Sequence, residues 1–172
     1  MQILKQVVML TLMLPTLVAL AQSPNHADII LSAVQFEVGS LDEQNAHYIP
    51  WEKIKDKYHV FVAVGVEDTG EPSSGVMQVI ETLPSVRARS RGYIANANDI
   101  VRDIESCNPG EVLWVKQVSV IDESQAVVSA EVITAIWCKM GLTYVCCYEQ
   151  GMWRVAAREV EWHICDSPHQ PS

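Results

Sequence analysis

Three consecutive runs near the C-terminus alternate apolar and polar residues with the period of a β-strand. They are Gln125–Cys138, Leu142–Glu149 and Met152–Ile164, and all three are rich in the residues that suit a pleated surface. The breaks between them, at Lys139–Gly141 and Gln150–Gly151, contain glycine and are short enough to join antiparallel neighbours. The pattern therefore predicts a three-stranded meander that holds most of the core.

The chain before the meander contains two predicted helices and one predicted strand. Apolar residues at helical spacing predict a helix over His26–Val38, with Asn25 as its N-cap and Gly39 as its stop. His59–Val66 is apolar enough to be a strand covered on both faces. Gly75–Thr82 is predicted to form a short helix that ends before a proline.

A strong turn signal, Cys107–Gly110, separates two further segments, Ala97–Ser106 and Glu111–Ile121. The two segments are interpreted as another hairpin, although Ala97–Ser106 fits a short helix equally well. The order of elements is then helix, strand, helix and five antiparallel strands. This order predicts an α+β fold in which an N-terminal helix and a second short helix pack on a curved antiparallel sheet.

The first 21 residues have the pattern of a secretory signal peptide. Lys5 precedes an apolar run from Val7 to Leu20, and the run ends in the cleavage pattern Ala19–Ala21. A membrane anchor is the alternative, but the run is short for a span of ~20 apolar residues. We therefore expect residues 1–21 to be removed, residues 22–165 to form one domain, and residues 166–172 to be a disordered tail. The protein would be periplasmic or secreted, with no membrane span after cleavage.

The net charge of the chain narrows the classes of partner that the protein is expected to bind. The chain has 172 residues and a formal net charge of −9, which disfavours binding to nucleic acid. Arg87, Arg89 and Arg91 alternate along one segment and could form an anion-binding edge. We favour the plainer interpretation, a solvated loop that partly neutralises an acidic protein.

The C-terminal third carries a recognisable combination of residues. It consists of Trp137-Cys138, Gly141, Tyr144, Gly151–Val155 and a final Trp162. This combination resembles the C-terminal signature of uncharacterised secreted bacterial proteins, whose hairpin has a Cys- and Gly-rich tip followed by G-x-W-x-V and a terminal tryptophan. The tip here is reduced to Lys139–Gly141, and the second tip cysteine is missing. More loosely, a helix and a curved meander are similar to the cystatin-like and nuclear-transport-factor-like architectures, which do not by themselves imply a function.

The chain has five cysteines, and an exported chain meets an oxidising compartment that favours disulfides. The predicted turns place Cys107, Cys138 and Cys165 at one end of the sheet, so at least one disulfide is expected among them, with Cys138–Cys165 favoured. Cys146 and Cys147 are adjacent in a strand and point to opposite faces, so they should not bond each other. One of them should behave as a small buried apolar residue.

Three kinds of chemistry are open to these residues. Cys107, Cys138, His163 and Cys165 could bind zinc or copper, but their scattered spacing favours a disulfide and no cofactor is expected. A pocket between helix and sheet could use a general acid or base; the candidates are Glu131, Tyr144, Glu159, Glu161 and His163. A free cysteine acting with His163 as a nucleophile lacks any activating motif.

Aromatic residues of the predicted strands either fill the core or form a surface for an apolar ligand or partner. They are Trp114, Trp137, Tyr144, Trp153 and Trp162. We favour the core.

The sequence therefore predicts an exported, non-enzymatic binding or structural module whose partner is a protein or a small apolar ligand. The alternative is a nuclear-transport-factor-like small-ligand binder or enzyme that uses the helix–sheet pocket.

Overall fold

The computed structural model describes residues 25–45, 51–94 and 100–165, so the predicted signal peptide and the predicted tail lie outside the described residues. The described helices are α1 (His26–Asn45), α2 (Trp51–Ile54) and α3 (Ser74–Ile80). The described strands are β1 (His59–Val64), β2 (Val86–Ala88), β3 (Gly92–Ile94), β4 (Val101–Asp103), β5 (Gly110–Val120), β6 (Gln125–Ala135), β7 (Cys138–Glu149) and β8 (Met152–Cys165).

The fold is α+β, but its main sheet is mixed. Six strands are ordered β2-β1-β5-β6-β7-β8. β1 is parallel to both of its neighbours, β2 and β5, whereas β5 to β8 form the antiparallel meander. The predicted antiparallel sheet is confirmed for β5 to β8, but the whole sheet is mixed because α3 lies between β1 and β2 and supplies the crossover that a parallel pair requires.

The predicted hairpin between Ala97–Ser106 and Glu111–Ile121 is reduced, in its described part, to one isolated antiparallel bridge between Arg102 and Pro109, and no ladder joins β4 to β5. β4 instead pairs with β3 in a separate two-stranded sheet, and β5 pairs with β1 and β6. Val112 and Leu113, on opposite faces of β5, are both fully buried, so this strand must be central and needs a long apolar neighbour on each side. The helical alternative is also wrong for Val101–Asp103, which is a strand.

Helix α1 is longer than predicted and passes through Gly39 without ending there. The buried stripe of α1 continues to Leu41, which packs in the main core. Gly39 itself is exposed. Burial of Leu41 therefore outweighs the weak helix propensity of one glycine, which costs about 1 kcal/mol.

The turn between β6 and β7 lies at Ile136–Trp137, not at the predicted Lys139–Gly141. Gly141 is inside β7, where the indole ring of Trp162 occupies the position that a side chain at Gly141 would take. The glycine thus serves close packing on a strand rather than a turn. The predicted turn at Gln150–Gly151 is confirmed, and both of its residues have positive φ, 53° and 84°.

Helix α1 lies across β5 to β8, and α3 packs beside it. The main apolar core lies between this helical layer and the sheet, with fully buried residues such as Ile29, Val34 and Leu113. A smaller core, which includes Phe61 and Ile133, lies on the opposite face, where the β3–β4 hairpin contacts β5 and β6.

Candidate functional site

A cavity of about 260 Å³ lies at the end of the sheet where β5 begins and β6 ends. Its walls include the aromatic side chains of Trp51, Tyr58 and Trp137, together with Thr134 and Cys138. Pockets for small molecules are typically apolar and aromatic, with a few polar groups that fix the orientation of the ligand. This cavity has that composition, and it is smaller than pockets for drug-sized ligands, which are ~300–1,000 Å³.

Each aromatic wall is placed by a different element of the fold. Trp51 begins α2 and is buried, and its Nε1–H donates a hydrogen bond to Oδ1 of Asp42 at 2.9 Å. Tyr58 directly precedes β1 and packs edge-to-face on Trp51, with ring centroids 5.3 Å apart. Trp137 occupies the two-residue turn between β6 and β7. The cavity is therefore formed where the end of the sheet meets the chain after α1.

The indole N–H of Trp137 is buried and has no hydrogen-bond acceptor among the described residues. By contrast, the indole N–H of Trp114 on β5 has an acceptor. Its Nε1 donates a hydrogen bond to the carbonyl oxygen of Gly65 at 2.9 Å. A buried donor without an acceptor costs about 1–3 kcal/mol. A ligand that carries an acceptor would remove this cost, so Trp137 is a candidate recognition group.

The buried carboxyl group of Glu111 contacts Tyr58. The Tyr58 hydroxyl donates to Oε2 of Glu111 at 3.2 Å, while Oε1 of Glu111 has no partner among the described residues. Burial, and next the negative charge of Glu37, raises the pKa of Glu111 to about 8. Glu111 is therefore protonated at neutral pH and adds no negative charge beside Tyr58.

A second buried carboxylate, Glu37 of α1, is fully partnered. It accepts hydrogen bonds from the Tyr144 hydroxyl at 2.7 Å and from Nε and Nη2 of Arg158 at 3.3 and 3.2 Å. Burial and the neighbouring Glu37 raise the pKa of Tyr144, so its hydroxyl remains a donor. This network connects α1 to β7 and β8. The polar groups between the helix and these strands therefore satisfy one another.

The acid–base candidates from the sequence do not converge. Tyr144 lies in the helix–sheet layer, but Glu131 lies on the opposite face and pairs with Nζ of Lys116 at 2.6 Å. Glu159 and Glu161 are exposed on β8, and Glu161 accepts a hydrogen bond from Thr143. His163 is exposed at the end of β8. The predicted set therefore does not form a single acid–base site.

The five aromatic candidates are also distributed over different surroundings. Tyr144 and Trp153 are buried in the main core, and Trp137 lines the cavity. Trp114 and Trp162 lie on the opposite face of the sheet, where Nζ of Lys116 lies 4.5 Å from the centroid of the Trp114 ring. These aromatics do not form one continuous surface.

Cysteine side chains meet at one corner of the sheet. Cys138 and Cys165 form a disulfide with Cα atoms 4.0 Å apart, and they are directly paired residues of β7 and β8. The two cysteines face each other because β7 begins at Cys138 and β8 ends at Cys165. Cys107 is free and exposed beside the Tyr93 hydroxyl. Cys146 is free and buried, and burial raises the pKa of its thiol, whereas its neighbour Cys147 is only half-buried.

The three arginines of the alternative anion-binding edge, Arg87, Arg89 and Arg91, are used in local contacts, and Val86–Ala88 is strand β2 rather than part of the expected loop. Arg87 donates to the carbonyl oxygens of Pro84 and Val86, and Arg89 donates to those of Asp68 and Gly92. Arg91 pairs with Glu105 at 2.6 Å. These contacts support the interpretation of a surface segment rather than that of an anion site.

Glu37 and Glu111 were missed in the sequence, although each carries a signal. Glu37 follows Ile30 and Val34 at helical spacing, which places it on the apolar stripe of α1. Glu111 shares the phase of Leu113 and Val115, which are buried under α1. In both cases a carboxylate occupies a position whose spacing matches that of the buried apolar residues, and this spacing is the signal in the sequence.

Comparison with protein-family models, curated proteins and solved structures gives no match. None of the described helices is both long and apolar enough to cross a membrane. The function must therefore be argued from the side chains themselves.

Proposed function

We propose that the protein acts outside the cytoplasm as a binding module for a small, uncharged, mostly apolar ligand. The observation that carries this proposal is the aromatic cavity that Trp137 lines, together with the buried indole N–H of Trp137, a donor that lacks an acceptor among the described residues. The disulfide between Cys138 and Cys165 supports a location in an oxidising compartment, periplasmic or secreted.

The size of the cavity indicates the size of the ligand. An apolar cavity of ~150 Å³ can hold benzene, and about 260 Å³ leaves room for one ring with a short substituent. Because Glu111 is neutral below its pKa of about 8, the carboxyl group that is hydrogen-bonded to Tyr58 does not attract a cation. The expected ligand is a neutral single-ring molecule with one hydrogen-bond acceptor.

Catalysis is the weaker alternative. Glu111, whose pKa lies near neutrality, would suit proton transfer. Its carboxyl group is hydrogen-bonded to Tyr58, and it is not among the residues that line the cavity. Of the two architectures that the sequence resembles, we favour the nuclear-transport-factor-like one for ligand binding, because a cavity at the end of the helix–sheet layer is what that alternative requires.

Two ring compounds of similar shape test the proposal. Acetophenone carries a carbonyl acceptor and ethylbenzene does not. We expect the protein to bind both and to prefer acetophenone by about fivefold, the value of one neutral hydrogen bond of about 1 kcal/mol. Trp137→Phe should remove the preference, and the control Trp114→Phe should retain it. Equal binding of the two compounds by wild type, or binding of neither, would contradict the proposal.

A further inference from the structure

The end of the β7–β8 hairpin brings three potential metal ligands onto one face of the sheet. Cys138 opposes Cys165 in the ladder, and His163 lies two residues before Cys165, so the three side chains project from the same face. Nε2 of His163 is 3.0 Å from Sγ of Cys165 and 4.0 Å from Sγ of Cys138. All three ligand atoms lie within 4.8 Å of one another.

We propose that this corner becomes a zinc site when the disulfide is reduced. Thiolate sulfur and imidazole nitrogen are the ligands that zinc prefers in proteins. With Zn–S of ~2.3 Å and Zn–N of ~2.0 Å, ligand atoms around one tetrahedral zinc are roughly 3.5–3.8 Å apart. The two nitrogen–sulfur distances, 3.0 and 4.0 Å, need only small adjustments to reach this range, so the largest movement required is the separation of the two sulfurs.

The two states of the corner are related by a balanced exchange. A dithiol reductant donates two electrons and two protons to the Cys138–Cys165 bond and is itself oxidised to a disulfide. Zinc then replaces the two thiol protons, which are released to solvent. The oxidised corner is a covalent link between β7 and β8, whereas the reduced corner holds the same two strands through the metal.

Exposure of the corner makes both reactions accessible. His163 and Cys165 are exposed, and Cys138 is half-buried. Three protein ligands leave the fourth position of a tetrahedral zinc to water or to an outside ligand. The free thiol of Cys107 lies outside this group, so it is not needed for the site. The inference does not rest on the ligand proposed for the cavity, although Cys138 also lines that cavity.

Zinc binding by the oxidised and reduced protein tests the inference. The protein is reduced with dithiothreitol, the reductant is removed without oxygen, and zinc is titrated by competition with a chelating dye. We expect the reduced protein to bind one zinc at this corner and the oxidised protein to bind none there. His163→Gln, which keeps the disulfide and hence the fold, should weaken zinc binding by at least ~10-fold in the reduced state. Replacement of zinc by cobalt should give a thiolate-to-cobalt absorption band.

Matched variants separate this corner from other thiols and histidines. Cys107→Ser and His26→Gln change an exposed thiol and an exposed histidine elsewhere, and both should retain full affinity. The inference is overturned if the oxidised protein binds zinc as tightly as the reduced protein, if Cys107→Ser or His26→Gln weakens binding as much as His163→Gln, or if no thiolate band appears with cobalt.

Discussion

The two faces of the main sheet hold their charged side chains in different ways. On the face that α1 covers, the side chain of Glu37 is 1% exposed and is paired with Arg158, whose side chain is 17% exposed. On the opposite face, Glu131 is 7% exposed, but its partner Lys116 is 37% exposed and also lies over Trp114. The covered face thus excludes water from both partners, whereas the other face leaves the cation solvated.

The covered face also contains polar groups that the protein does not satisfy. Oε1 of Glu111 and Nε1 of Trp137 are buried there, or at the end of that layer, without partners among the described residues. On the opposite face, the indole of Trp114 has its acceptor, whereas Nδ1 of His59, which packs against Phe61, is buried without a partner among the described residues. Unsatisfied buried groups are costly and occur on both faces, but only on the covered face does one of them belong to a residue that lines the aromatic cavity, Trp137.

The largest expected effect concerns the pH dependence of stability. The pKa of Glu111 is about 8 in the folded protein against 4.5 for an ordinary glutamate. Between these values the folded state holds a proton that the unfolded state has lost, so the free energy of unfolding falls as the pH rises from about 4.5 to 8. The loss is at most about 5 kcal/mol at 1.36 kcal/mol per pKa unit.

Glu111→Gln keeps an acceptor for Tyr58 and removes this titration. We expect the variant to match wild type below pH 4.5 and to be more stable by a few kcal/mol above pH 8, as measured by urea denaturation across that range. Glu159→Gln, at an exposed position on β8, should keep the slope of wild type. A Glu111→Gln variant with an unchanged slope would show that this carboxyl group is solvated.

Two tryptophans of β8 compare the two faces directly. Trp153 is 8% exposed in the main core, and Trp162 is 37% exposed over Gly141 on the opposite face. We expect Trp153→Ala to lower the free energy of unfolding by about 3–5 kcal/mol, and Trp162→Ala to lower it by about 1–2 kcal/mol. Equal midpoints in chemical denaturation would contradict the assignment of the covered face as the main core.

The ion pairs Glu37–Arg158 and Glu131–Lys116 should also contribute differently to the free energy of unfolding, by a smaller amount than the two tryptophans. Arg158→Met leaves Glu37 buried without its cation and should cost about 3 kcal/mol. Lys116→Met also leaves a buried carboxylate, Glu131, without its cation, but this cation is itself 37% exposed, so the loss should be smaller, about 1–2 kcal/mol. Thermal unfolding of the two variants measures the difference. A larger loss for Lys116→Met would mean that the open face is the more tightly packed one.

Parts of this architecture follow from local patterns in the sequence, and other parts do not. The strands of the meander and the Gln150–Gly151 turn could be predicted because alternation and a glycine turn are local signals. The position of Gly141 inside β7 could not be predicted in this way, because it depends on packing against Trp162, which lies on the next strand. The parallel pairing of β1 with β5 likewise depends on segments that are far apart in the sequence.

The candidate site was harder to predict than the fold. The disulfide partners carry a chemical signature, whereas Trp51, Tyr58 and Trp137 meet only because α2, β1 and the β6–β7 turn reach the same end of the sheet. No spacing in the sequence brings these three residues together. The buried carboxylates were detectable by their phase, as Glu37 and Glu111 stand at core positions of α1 and β5.

The indole N–H of Trp137 gives the most direct test of the central claim, that the covered face ends in a ligand cavity. In a nitrogen–proton correlation spectrum, the indole resonance of Trp137 is assigned by its absence from Trp137→Phe. Addition of acetophenone should shift this resonance downfield as its N–H gains an acceptor, while the indole resonance of Trp114, which already donates to Gly65, stays in place. A shift of Trp114 with no shift of Trp137 would contradict the account and transfer the binding surface to the open face of the sheet.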